Sequence, residues 1–247
     1  MTKRTWVVTG GSRGIGRAAV ERAAAAGHRV IACARDQTAL EEVTARLEGA
    51  EYRVLDVTDP VEVGEVLGAL EADVLVANAG IATSTAIPKI DLDTWRRVFE
   101  VNVTGSLLCT QAVLDGMRIR GWGRIIFMAS VASHQAGRYM GAYAASKHAQ
   151  LGLMRAIAAE VAGSGVTANA VCPSYVDTDM TTESMERIVR VTGRTEEEAM
   201  AALVAASALG RLVTPAEVAA AVEYLASDEA APVNGQSIVI DGGGFQK

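Results

Sequence analysis

Tyr143 and Lys147 are the residues whose types and spacing most directly suggest chemistry; they stand in the run Tyr143-Ala144-Ala145-Ser146-Lys147. On a helix, positions i and i+4 share one face, a turn apart. An ammonium beside a phenol favours the phenolate, which a tyrosine acting in proton transfer needs. With five tyrosines in 247 residues, such a pair arises by chance at roughly 0.1 per chain. It therefore needs support from elsewhere in the chain.

A second constellation lies near the start, where Thr9-Gly10-Gly11-Ser12-Arg13-Gly14-Ile15-Gly16 follows an apolar run and leads into a helical pattern. Glycines there permit positive φ and close backbone approach, and a helix N-terminus offers unpaired N–H groups to a pyrophosphate. Gly10, Ser12, Arg13, Gly14, Ile15 and Gly16 are thus candidate dinucleotide contacts. The next apolar run ends in Ala34-Arg35, where an acidic residue would bond a ribose and an arginine accommodates a 2′-phosphate. Arg35 with Arg13 favours NADP(H), with NAD(H) as the alternative. Gly10, Ser12 and Gly14 also satisfy the G-x-S-x-G elbow of serine hydrolases. That reading fails because no histidine follows His148 to act as the late base.

These residues need a frame to hold them. Short apolar runs at 4–9, 29–34, 52–55, 73–77, 124–129, 167–171 and 237–240 read as strands buried on both faces. Helical spacings separate them: Ile15, Ala18, Ala19 and Arg22; then Leu40, Val43 and Leu47; then Val63, Val66, Leu67 and Leu70. The alternation predicts an α/β chain with a seven-stranded, doubly wound parallel sheet covered by helices on both faces, forming one domain over 1–247. Between 180 and 210 the pattern is helical and partly charged, with no strand; it reads either as a substrate lid or as ordinary surface helices.

Lys and Arg number 23 against 29 Asp and Glu, a net charge of -6, which argues against nucleic acid as a partner. Cys33, Cys109 and Cys172 are few and far apart and read as core residues in a reducing compartment. No secretory signal and no membrane-length apolar run is visible, so a cytoplasmic protein is expected. No His/Cys/Asp group has metal-ligand spacing, so no metal is expected.

Further motifs stand in order around the first two: Asn78-Ala79-Gly80 at a strand end, Asn102 in Val101-Asn102-Val103-Thr104-Gly105, Ser130 thirteen residues before Tyr143, and Asp241-Gly242-Gly243 near the C-terminus. With the glycine turn and the Tyr–Lys pair, they make the chain resemble the short-chain dehydrogenase/reductase family from its first strand to its last. The resemblance implies a Rossmann-type fold and hydride transfer between a nicotinamide and a carbonyl or alcohol carbon. It gives Ser130 the substrate oxygen, Tyr143 the proton, Lys147 the nicotinamide ribose and Asn102 a relay water. It places Asp56 and Val57 by the adenine, Asn78, Ala79 and Gly80 by its ribose, and Pro173, Val176 and Thr178 by the nicotinamide. A homotetramer is implied as well. Two positions depart from the family pattern: Ser174 follows Pro173 where glycine is usual, and Ala77 stands where a second Asn is common.

Within the family, the chain looks most like 3-oxoacyl reductases and type II polyketide ketoreductases. This implies a 3-oxoacyl thioester or polyketide-like ketone as substrate. His134, Gln135, Met140 and Tyr175 flank the expected catalytic positions and are the candidate pocket residues. Docking to an acyl carrier protein is in doubt, because Ser164 stands where carrier-protein reductases often have arginine; Arg118, Arg120 and Arg124 offer a weaker basic patch or a solvated helix end. Two alternatives stay open: an NAD(P)-dependent secondary or cyclic alcohol dehydrogenase, and a non-catalytic nucleotide-binding sensor or scaffold.

Overall fold

Seven strands run parallel in one sheet: β1 (Thr5–Thr9), β2 (Arg29–Ala34), β3 (Ala50–Val54), β4 (Val74–Ala77), β5 (Gly123–Met128), β6 (Val166–Pro173) and β7 (Ser237–Ile240). Their spatial order is β3-β2-β1-β4-β5-β6-β7, so the chain reverses direction across the sheet between β1 and β4. In such sheets the crevice beyond the strand C-termini at this switch point receives the ligand. The computed structural model describes residues 2–205 and 207–245.

Strand side chains alternate between two cores, as a period of two requires. Val7, Leu75 and Phe127 face a core closed by α3 (Pro60–Gly68), α5 (Gly105–Arg120) and α6 (Gly141–Glu160). Trp6, Val8, Val74 and Val76 face the other core, closed by α1 (Gly14–Ala25), α2 (Gln37–Thr44) and α9 (Pro215–Ala226). The expected doubly wound architecture is what the chain adopts. Strand bounds move by one or two residues; β6 runs on to Pro173 because β7 pairs with its last four residues. Leu47 and Leu70 lie just past the ends of α2 and α3, where they still pack against the cores.

Local chemistry starts the helices where the sequence placed capping residues. Asp36 accepts from the Ala39 N–H at the head of α2, and Asp59 accepts from Val61 and Glu62 at the head of α3, which carries Pro60 in its first turn. Thr214 and Glu217 form a reciprocal capping box on α9, as Thr195 and Glu198 do on α8 (Glu196–Val204). The stretch expected to be helical without a strand holds α7 (Asp179–Thr192) and α8. Between α4 (Leu92–Phe99) and α5 the helix widens into one π-turn, Glu100–Thr104, which carries Asn102.

Candidate active site

The glycine turn sits at the C-terminal end of β1, at the switch point. Gly10 and Gly14 adopt positive φ of 64° and 54°. A Cβ on Gly16 would lie 2.1 Å from the Gly10 carbonyl oxygen, so only glycine fits there. The turn is fastened from the side: the Asn78 amide donates to the Thr9 and Gly10 carbonyls (2.9 and 3.2 Å), and the Asn78 and Ala79 N–H groups donate to the Thr9 hydroxyl. That amide nitrogen is therefore committed to backbone, which the sequence did not reveal. No side chain caps the N-terminus of α1, so its first-turn N–H groups remain as donors for an anion. This glycine-walled, donor-lined turn suits a dinucleotide pyrophosphate.

Arg35 is exposed at the end of β2. Arg13 pairs across 3.5 Å with Asp179 at the head of α7, both largely exposed. Thr178 lies against Gly14, with its hydroxyl on the Val176 carbonyl (3.3 Å), so the end of the β6 loop reaches the glycine turn. Burial works to raise the Asp56 carboxyl, but the Thr58 N–H and hydroxyl, with Arg35 and Arg97 nearby, hold it below the usual range. Val57 is buried against Gly105, its side chain committed to packing.

Four predicted residues meet beyond β4, β5 and β6. Lys147 is buried, and its ammonium donates to the Met128 carbonyl at 2.7 Å and to Gln150 Oε1 at 2.9 Å. Burial brings its pKa down to about 8. Tyr143 lies one turn away, its ring centre 5.8 Å from Lys147 Nζ. Gly80 is the close neighbour of both Asn102 Oδ1 and Lys147 Nζ, 3.3 and 3.7 Å from where its Cβ would stand. Asn102 exchanges hydrogen bonds with Ile81: the Ile81 N–H donates to Oδ1 (2.8 Å) and Nδ2 donates to the Ile81 carbonyl (3.0 Å). Its Nδ2 also donates to Ser146 Oγ at 2.9 Å. The Ser130 hydroxyl accepts from the Ala132 N–H and reaches the Pro173 carbonyl at 3.4 Å, which ties the β5 and β6 ends together.

One expectation is corrected. Lys147 was expected to lower the Tyr143 pKa, yet the Tyr143 pKa is raised; burial dominates, and the neighbouring Ser130 hydroxyl only partly opposes it. Two of the three ammonium protons of Lys147 point to Met128 and Gln150 instead. The shift favours the phenol over the phenolate.

The pocket residues divide. Tyr175 sits close enough to Tyr143 to raise the latter's pKa, and burial raises its own. Met140 immediately precedes α6 and bridges to Thr85, while Gln135 is exposed. His134 turns elsewhere: its ring packs on Phe245 at 5.1 Å and lines a cleft of about 980 Å³ between α6 and β7. Ser133, His148, Leu151, Arg155, Ser237 and Val239 complete that lining, which includes none of Ser130, Tyr143 or Lys147. His134, directly after the Val131–Ser133 turn, thus lines this cleft and packs on Phe245. The Ser174 hydroxyl is buried with no hydrogen-bond partner among the described residues.

Of the three arginines expected as a basic patch or a solvated helix end, Arg118 and Arg120 are exposed and Arg124 is not. Arg124 is buried over the Trp122 ring at 4.4 Å and donates to the Gly123, Gly165 and Ser227 carbonyls. Arg120 donates to the Ala72 carbonyl and pairs with Asp73, and Arg118 holds the Glu160 carbonyl. Gln150, Ser146 and Ser106 were missed by the sequence reading. The signal that could have found Gln150 was its helical spacing, three residues after Lys147 and four after Ser146.

No helix among the described residues is long and apolar enough to cross a membrane, and no group of three or more His, Cys, Asp or Glu among them could hold a metal ion. Residues 4–188 match the family model described as short chain dehydrogenase. The chain is 34% identical over 244 residues to the 3-oxoacyl-acyl-carrier-protein reductase FabG of Escherichia coli, covering 96% of this chain and 95% of that one. It is 33% identical over 255 residues to a D-beta-hydroxybutyrate dehydrogenase of Rhizobium meliloti, covering 98% of each. Among solved structures, a variant of actinorhodin polyketide ketoreductase with NADPH superposes with a TM-score of 0.94 at 34% identity, covering 98% of this chain and 97% of that one.

Proposed function

The chain belongs to the short chain dehydrogenase family, and on that premise we propose that it is an NADP(H)-dependent reductase of ketones, with 3-oxoacyl thioesters or polyketide-like ketones as the substrate class. The observation that carries the reading is the convergence of Ser130, Tyr143, Lys147 and Asn102 beyond three adjacent strand ends, beside a glycine turn shaped for a dinucleotide. The names of the relatives support the substrate class: a 3-oxoacyl reductase, a polyketide ketoreductase and a hydroxybutyrate dehydrogenase all handle an oxygen β to a carboxyl-derived carbon or within a polyketide.

Gly10, Ser12, Arg13, Gly14, Ile15 and Gly16 would hold the pyrophosphate, and Arg13 and Arg35 the 2′-phosphate that separates NADP(H) from NAD(H). Asp56, Val57, Asn78, Ala79 and Gly80 would border the adenosine half, and Pro173, Val176, Thr178, Tyr143 and Lys147 the nicotinamide half. The bound nicotinamide supplies the hydride. Ser130 orients the carbonyl oxygen by a hydrogen bond, and the Tyr143 phenol gives that oxygen its proton. Lys147 stabilises the phenolate left behind, and Asn102, fixed by Ile81, holds the path by which the proton returns. Tyr175, Met140 and Gln135 would line the substrate side, with α7 and α8 as a lid.

A homotetramer built on α5 and α6, and a cytoplasmic location, belong to the same proposal. Leu107 and Leu114 on α5 and Leu153 on α6 are partly buried, Leu114 and Leu153 against the core, and the apolar surface they leave outside would be covered by a second copy. An acyl carrier protein is a weaker candidate partner, since Arg118, Arg120 and Arg124 are engaged within the fold. The reverse reaction, oxidation of a secondary alcohol, is the second reading, favoured by the hydroxybutyrate dehydrogenase relative.

The test is NADPH oxidation with acetoacetyl thioesters, cyclic ketones and fused-ring ketones, repeated with NADH. Turnover with a β-ketoacyl or fused-ring ketone, at least ten-fold faster with NADPH, is expected. Cofactor binding without consumption on every ketone would mark a sensor or scaffold, and a preference for simple alcohols with NAD would mark the dehydrogenase.

A further inference from the structure

Gln150 is fully buried on the helix that carries Tyr143 and Lys147, three residues after the lysine. A lysine ammonium can only donate, so the Gln150 carbonyl must face it; Oε1 accepts from Lys147 Nζ at 2.9 Å. The opposite end of the amide then has to donate, and Nε2 reaches Ser106 Oγ on α5 at 2.9 Å. The Ser106 hydroxyl donates its own hydrogen bond to the Asn102 backbone carbonyl at 2.8 Å. A second branch runs from Asn102 Nδ2 to Ser146 Oγ (2.9 Å) and on to the Tyr143 carbonyl (2.7 Å). Every side chain in these bonds is buried. The first run leads from the lysine to the backbone of Asn102, and the second leads from the Asn102 side chain back to the tyrosine's own helix turn.

From this geometry we infer that Gln150, oriented by Ser106, is a positioning residue that holds the Lys147 ammonium in place and keeps it charged. The inference rests on the reading of Tyr143 and Lys147 as the proton-transfer pair. Packing alone would not need an amide here, because an apolar side chain of the same size would fill the space without an orientation to satisfy. The groups that face Lys147 leave the task to few others. Tyr143 is the titratable neighbour on its own helix, Cys172 on β6 is a thiol pushed up to about 11 by burial, and β5 supplies only the Met128 carbonyl. The Gly80 loop and the Asn102 turn present no charge, and among the described residues Lys147 takes part in no ion pair. Burial already draws Lys147 down to about 8. Removing an acceptor would draw it further into the working pH range.

The test compares Gln150→Met, Gln150→Glu and the unaltered full-length chain by two readouts: the pH profile of NADPH-dependent ketone reduction, and the titration of lysine side chains by isotope-edited NMR. Only four lysines are present, Lys3, Lys89, Lys147 and Lys247, so the buried one is separable by its titration. The methionine variant should move the basic limb and the Lys147 resonance midpoint down by about one pH unit; the glutamate variant, an acceptor of opposite charge, should move both up. Should Gln150→Met fail to fold, Ser106→Ala, which frees the amide to turn, should give a smaller shift in the same downward direction. An unchanged midpoint in the methionine and serine variants, or a loss of rate equal at every pH, would overturn the inference and leave Gln150 a packing residue. If no ketone is turned over by the unaltered chain, the functional reading fails, while the lysine titration still decides the role of Gln150.

Discussion

Helix α6 and the α7–α8 pair are held in very different ways. α6 buries nine residues, including Ser146, Lys147 and Gln150, and each of these polar side chains is hydrogen-bonded. α7 has 14 residues against the 20 of α6, yet it buries only Thr181, and α8 buries only Ala199 and Leu203. Its link to the glycine turn is an exposed ion pair, Arg13–Asp179, of a kind worth roughly 0–1 kcal/mol. Tyr143 and Lys147, the proposed proton-transfer pair, therefore stand on a fixed floor, while α7 and α8, the proposed lid, are lightly attached. On that proposal reaction geometry is held constant, and substrate shape is left to a part that opens at low cost.

The sharpest challenge to this contrast is Tyr143→Phe. On the fixed floor it should lower kcat by about 10²–10⁴-fold while leaving NADPH affinity, read by fluorescence titration, within two-fold. A variant that keeps its rate would show that the floor is not where the proton moves. Next is Gly16→Ala, whose methyl would press on the Gly10 carbonyl; a loss of about 1–3 kcal/mol in unfolding free energy and weaker NADPH binding are expected by denaturant titration and binding assay. Arg35→Ala should weaken NADPH by about ten-fold, the scale of a charged hydrogen bond, and leave NADH unchanged; equal losses for both would remove the 2′-phosphate assignment.

A pH measurement probes the floor itself. Lys147 titrates at about 8 in the folded chain against 10.5 when free, so between these values the unfolded chain binds the extra proton. Stability contributed by this group therefore rises with pH across that window and is flat below it. The difference in melting temperature between the unaltered chain and Lys147→Met should grow in favour of the unaltered chain from pH 8 to 10; a constant difference would show that the lysine is not perturbed. The smallest effect is expected in the roof: backbone amides of α7 should exchange with deuterium faster than those of α6 by about two orders of magnitude or more. Equal protection would erase the contrast.

Much of the floor was legible in the sequence because its signals are local. A helix spacing put Tyr143 beside Lys147, glycine-only conformations marked the turn, and Asp36, Asp59, Thr195 and Thr214 announced helix starts by capping chemistry. What escaped depended on which way a side chain turns after the chain has folded. His134 is close to Ser130 in sequence but rotates onto Phe245, more than a hundred residues away. Arg124 looks like a surface charge and is drawn inward by Trp122 and three carbonyls. The direction of the Tyr143 pKa shift was misread because spacing reveals a neighbour, whereas burial, which decides the shift, is a property of the whole fold.

The wide turn at Glu100–Thr104 has a consequence for how this chain tolerates length changes. A π-turn holds one residue more than the helix around it requires. Deleting a single residue there would restore a regular helix with α4 and α5 joined and still in phase, but side chains within the turn would be re-aimed by up to roughly 100° about the axis. Asn102 would then leave Ile81 and Ser146, although no residue that touches it had been substituted. The extra residue works as a phase setting within the turn, and the frame of the helix is as much a determinant of this site as the identities of the side chains it carries.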